Sequence, residues 1–227
     1  MADNKQIKDG LGNVFTIRMR DISAAGDGSV QRSMILTSPY PLDYGPGGEY
    51  QHYAASGVMA AAMPDNSPIY AFRWPVSTMY ALIWRVKVTA WSVTAFAGGF
   101  VAFNIYAARS FTAIGSGGLA ADLSGNNNKL RTSMASSASS IAYSNTGGMT
   151  PGTRTLDAAP MDSWVAPATA AGVPFLDSPM VIFDKQLGEQ HPLLLAQNEG
   201  FVVTAKVPND GTWSFGVTTR WDELSNY

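Results

Sequence analysis

The chain is 227 residues long and carries 15 basic against 17 acidic side chains, a net charge of −2. Hydrophobic residues make up 46 % and charged residues only 14 %, against about 25 % charged in an ordinary domain. These figures exclude a disordered chain, a solvated coiled coil and a basic nucleic-acid binder, and the absence of cysteine excludes disulfides, thiolate chemistry and Cys-based zinc sites.

The polar start, MADNKQIKDG, predicts no signal peptide, and residues 1–12 read as an N-terminal arm. In residues 13–20, Phe15, Ile17 and Met19 alternate with Thr16, Arg18 and Arg20, the pattern of a half-buried strand. Residues 34–37 read as a further short strand. Pro39, Pro41 and Pro46 then forbid a helix interior and a central strand over residues 38–53. That segment reads as an ordered, extended loop bearing Tyr40, Tyr44, Tyr50 and Tyr53. The alanine-rich residues 54–63 read as one or two helical turns.

Residues 68–108 hold the strongest pattern. Ile69, Ala71 and Arg73 alternate with Tyr70, Phe72 and Trp74 until Pro75 ends the run. Leu82, Trp84, Val86, Val88 and Ala90 then face one way, with Ile83, Arg85, Lys87 and Thr89 opposite. Gly98-Gly99 marks a turn or bulge. Residues 100–107 are apolar on both faces except at Asn104, as in a central strand. The longest apolar run, residues 95–103, falls short of the about 20 residues that cross a bilayer.

Residues 110–172 are dominated by Ser, Thr, Gly, Ala and Asn. A structureless loop of that length is uncommon in a compact domain, so short edge strands and a projecting excursion are expected. Regularity returns with Phe201, Val203, Ala205 and Val207 on one face and Trp213, Phe215, Val217, Thr219 and Trp221 on another. Between them Pro208-Asn209-Asp210-Gly211 supplies a turn, so residues 200–221 read as an antiparallel hairpin. Strands with almost no helical period predict an all-β chain. The expected architecture is an antiparallel β-sandwich, jelly-roll-like, with long loops or arms, formed as a single domain over residues 13–227.

No catalytic or metal-binding pattern emerges. His52 and His191 lie outside any H-E-x-x-H arrangement, and no nucleophile elbow, Walker loop or dinucleotide fingerprint occurs. Asp43 with Glu49, and Asp222 with Glu223, could be offered as glycosidase pairs, but neighbouring carboxylates arise readily by chance. The expectation is therefore a non-enzyme without cofactor or metal. Trp84, Trp213 and Phe215 are in phase with their strands and read as core. Tyr40, Tyr44, Tyr50 and Tyr53 are the candidate interface, because aromatics on an ordered loop fill a partner's pocket, lid their own core or stack on sugars. The shortage of charge points the same way, since interfaces are depleted in Lys and Glu and enriched in Tyr, Trp and Met.

Two stretches carry a resemblance. DGLGNVFTIRMRDIS with SMILTSPYPLDYG resembles the start of small virion proteins of tailed bacteriophages. PLLLAQNEGFVVTAKVPNDGTWSFGVTTRWDE is similar to their closing hairpin, with Asn198-Glu199-Gly200-Phe201 as its most distinctive part. The resemblance implies a β-sandwich assembled on a capsid, a decoration or cement protein that bridges capsomers. It implies contact with the major capsid protein or other virion proteins, a homo-oligomer with a trimer favoured, and no nucleic acid or membrane partner. The place implied is the virion, assembled in the host cytoplasm. A head-fibre base, a tail-associated protein and a carbohydrate-binding or adhesin module are the alternatives.

Overall fold

The computed structural model describes residues 3–8, 14–19, 48–168, 174–175, 180–182 and 192–225. The chain forms two compact units, Met1–Leu42 and Asp43–Tyr227. In the first, β1 (Asp3–Lys8) pairs antiparallel with β2 (Val14–Met19), Asp3 opposite Met19 and Lys8 opposite Val14. The alternation in residues 13–20 thus has its strand.

None of the described residues is helical. Among them, the second unit builds two antiparallel sheets. The smaller has five strands: β3 (Gly48–Ala55), β14 (Thr212–Leu224) and β5 (Tyr80–Thr94) in that order, then β11 (Met180–Ile182) and β12 (Leu193–Leu195), which both pair with β5. The larger has seven. Its order runs β7 (Gly118–Ala120), β8 (Ser140–Ser144), β4 (Ser67–Trp74), β13 (Glu199–Lys206), β6 (Phe100–Ala113) and β10 (Asp162–Pro167), with β9 (Thr153–Leu156) also on β6.

The pairing is nested. β3 takes β14, β4 takes β13, β5 takes β11 and β12, and β6 takes β9 and β10. Outermost strands pair with each other, then the next inward. That is a long antiparallel ribbon wrapped into two facing sheets, the jelly-roll arrangement. The β7–β8 pair, inserted between β6 and β9, extends the larger sheet beyond β4.

Apolar inward residues of the two sheets form one core. Phe72 meets Trp221 edge-on at 5.3 Å between ring centroids, and Phe103 meets Trp213 at 5.7 Å, each pair crossing from sheet to sheet. Phe201 stacks on both Phe72 and Tyr70. Such pairs contribute about 0.5–1.5 kcal/mol each beyond the area they bury.

Three expectations are corrected. Residues 54–63 make no helix: Ala54 and Ala55 finish β3, and the amides beyond bond to distant carbonyls, Ser56 to Phe215, Met59 to Trp213 and Ala60 to Thr146. Met59 and Met63 are drawn into the core, which a helical turn would not allow together with those bonds. Residues 200–221 are not a hairpin. β13 lies in the larger sheet and β14 in the smaller, so the turn at 208–211 arches across the core. The turn chemistry itself was legible: Gly211 has φ +74°, and the Asp210 carboxylate accepts the Ala97 amide at 2.6 Å. Finally, β5 is not one uninterrupted phase. Trp221 pairs with Ile83 and Arg220 with Arg85, so Trp84 is an extra residue, a β-bulge. The bulge flips the face. Ala81 and Ile83 join Val86, Val88 and Ala90 in the main core, while Leu82 and Trp84 pack outside with Leu194 and Leu224. Trp84 is buried, but not in the core assigned to it.

Candidate interaction surfaces

Of the four candidate tyrosines, Tyr40 and Tyr44 lie outside the described residues, as do Asp43 and His191. Tyr50 and Tyr53 sit on β3, separated by three residues and therefore on opposite faces. Tyr50 points inward and is fully buried, stacked on Trp221 at 5.6 Å with its hydroxyl donating to the Ala135 carbonyl. Burial, and then the nearby Glu223 carboxylate, push its pKa up to about 12. Tyr50 is a core residue. Tyr53 points outward and is 59 % exposed.

The titratable residues raised as catalytic candidates are committed to structure. Glu49 pairs with Arg220 across the outer face of the smaller sheet. Asp222 accepts the Trp84 indole N–H. Glu223 is buried and accepts from the Ser137 hydroxyl at 2.5 Å, the Trp221 indole at 3.1 Å and the Ala138 amide at 3.2 Å. Burial raises its pKa despite those bonds. His52 faces inward beside Tyr143, and burial lowers its pKa. No group of three or more His, Asp or Glu side chains among the described residues gathers as a metal site.

The bonds to Glu223 from Ser137 and Ala138 belong to a strap. Part of the Ser/Asn/Gly-rich tract, residues 122–139, runs along the outer edge of β3. The Gln51 amide donates to the Asn128 carbonyl at 2.9 Å and the Leu130 amide to the Glu49 carbonyl at 3.2 Å. The strap covers backbone groups that an edge strand would otherwise leave open to another chain.

The Asn198-Glu199-Gly200-Phe201 motif is a structural clamp. Asn198 adopts φ +59°, and its amide bonds to the Trp74 carbonyl. Glu199 accepts the Ala196 amide and pairs with Arg109 at 2.6 Å. Gly200 lies so near β4 that a Cβ there would stand 2.1 Å from the Phe72 carbonyl oxygen. Phe201 fills the core.

What remains outside is apolar or aromatic rather than catalytic. On the outer face of the larger sheet Phe100 is 68 % and Val165 57 % exposed. They share that face with Ala102, opposite Val165, and Pro167, opposite Phe100. A polar rim adjoins them: Ser163 donates to Asn104 at 2.6 Å, Asn104 and Tyr106 donate to Asn66, and Lys206 pairs with Asp65 at 2.8 Å. An apolar centre with a polar rim is the anatomy of a protein contact. The sequence held a trace of it, since residues 100–107 are apolar on both faces where a one-sided strand would not be. On the outer face of the smaller sheet the Tyr53 ring lies over Gly216, with Trp91 beyond it on β5.

No model of a known protein family matches this chain, and no curated protein matches it.

Proposed function

We propose that this chain is a non-enzymatic virion structural protein, a decoration or cement protein that reinforces a phage head through contacts repeated over its lattice. The resemblance of its two ends to small virion proteins supports the reading, and so does the jelly-roll body. The single observation that carries it is an inversion at the surface. Among the described residues the carboxylates Glu49, Asp222 and Glu223 are spent on internal bonds and His52 is buried, while Phe100 and Val165 stand in solvent on a sheet face. Exposed apolar residues on a rigid sheet serve contact, and a repeating lattice makes individually weak contacts strong. In this reading the Phe100 and Val165 face meets a capsid protein or a second copy of the chain. The closing experiment is co-sedimentation with capsids, preceded by light scattering. The expected species has about three times the 24.2 kDa chain mass and pellets with particles. A monomer that stays in the supernatant with every particle offered would sink the reading.

A further inference from the structure

The outer face of the smaller sheet has a character unlike that of the Phe100 face. Tyr53 on β3 does not stand up from the sheet. A Cβ on Gly216 would come within 2.8 Å of the Tyr53 hydroxyl oxygen and 2.9 Å of its Cε2, so the ring edge lies directly over the glycine of the next strand. Yet the residue is 59 % exposed, so much of the side chain stays open to solvent. Gly216 sits in the interior of β14, where a glycine weakens a strand and commonly marks close approach by something else. On β5, Thr89 pairs with Gly216, and Trp91, 37 % exposed, follows two residues on, about 7 Å along the strand. The two rings therefore flank a shallow floor of glycine and hydroxyls.

The surroundings are polar. Thr218 lies between Tyr53 on one side and Lys87 on the other, in register with both, and Gln51 is next along β3 on the same face. The Arg220 charge is met by Glu49. Among the described residues no carboxylate pairs with the Lys87 ammonium, which lies one strand beyond Thr218 from Tyr53. A protein-docking patch would set aliphatic side chains around its aromatic anchors, as Ala102 and Pro167 surround Phe100. Here Ala55, opposite Gly216, is aliphatic, while Thr89, Thr218, Gln51 and Lys87 set donors and acceptors around Tyr53. Sugars present that chemistry: a pyranose offers C–H groups to a ring face and hydroxyls at its rim.

We propose that the outer face of the smaller sheet binds an acidic saccharide, with sugar rings stacked on Tyr53 and Trp91 and a carboxylate or sulfate held by Lys87. The site is separate from the Phe100 face and stands or falls independently of the virion reading. The test is affinity electrophoresis of the full chain through gels containing polygalacturonate, heparin or neutral dextran. Retardation is expected in at least one acidic polymer and not in dextran. Tyr53→Ala and Lys87→Gln should each weaken it at least tenfold, and both replace outward side chains, so folding is preserved. Phe100→Ser should leave it unchanged while weakening particle binding. Three results overturn the proposal: no retardation in either acidic polymer, equal retardation in dextran, or retardation that survives Tyr53→Ala and so reports charge alone.

Discussion

His52 and Glu223 lie inside the same sandwich, and acid acts on them in opposite directions. Burial holds the His52 pKa below its ordinary 6.5. The unfolded chain therefore binds a proton first, and stability is lost as pH falls from above 6.5 towards the folded value. Glu223 is raised above its ordinary 4.5, so the folded chain binds a proton first. Its buried charge costs stability at neutral pH, and that cost is relieved as pH falls through the folded value towards 4.5. Urea midpoints at pH 8 and pH 5.5 should separate the two. His52→Gln should flatten the loss on acidification, and Glu223→Gln should steepen it; an unchanged pH profile in both variants would refute this assignment. At the same scale, Gly200→Ala should destabilise by about 1–3 kcal/mol, because its Cβ meets backbone rather than a movable side chain. A urea midpoint equal to the parent's would show that β4 and β13 can part without penalty.

At the scale of elements, two devices manage what regular strands leave unfinished. The bulge at Trp84 lets β5 serve the core at both ends while moving one indole outside to meet Asp222. The strap over residues 122–139 closes the side of β3 that no strand covers at that point. Its anchor is testable. Ser137→Ala removes a bond to a buried carboxylate and should cost about 1.5–3 kcal/mol. The loss should be local, so hydrogen exchange should accelerate at the Gln51 and Leu130 amides and leave the β13 amides protected. Uniform acceleration would mean that the strap is no separate unit.

For the molecule as a whole, nested pairing ties strands near the beginning of the sandwich to strands near its end: Tyr50 opposite Trp221, Phe72 opposite Phe201. Within the unit Asp43–Tyr227 the result is a cross-tied sandwich whose two outer faces can act independently. Phe100→Ser with Val165→Ser should change stability by no more than about 0.5 kcal/mol, as exposed substitutions do. If the virion reading holds, the same pair should abolish particle binding. Thermal melts beside the pelleting assay distinguish lost contact from lost fold.

The sequence by itself determined the class of the protein and most of its strands. Alternation in residues 13–20 and 200–221, and runs apolar on both faces in residues 68–74 and 100–107, mark strands, a property carried within a few residues. It also determined the turn at 208–211, since Asp-Gly there supplies the positive φ. Only the tertiary structure decided which strands pair. β13 and β14 look like a hairpin because a turn joins them, yet an apolar face is satisfied equally by a partner in its own sheet or by one across the core. The bulge at Trp84 was hidden for the same reason: an extra residue becomes visible only against the strand opposite. Tyr50 and Tyr53 could not be told apart while the segment holding them read as a loop, because side-chain direction follows from strand parity. The clamp at Asn198-Glu199-Gly200-Phe201 stood out as a motif, but its work depends on Phe72, Arg109 and Trp74, all far away along the chain. Local pattern fixes local conformation; partners are chosen by packing over distances that no short window contains.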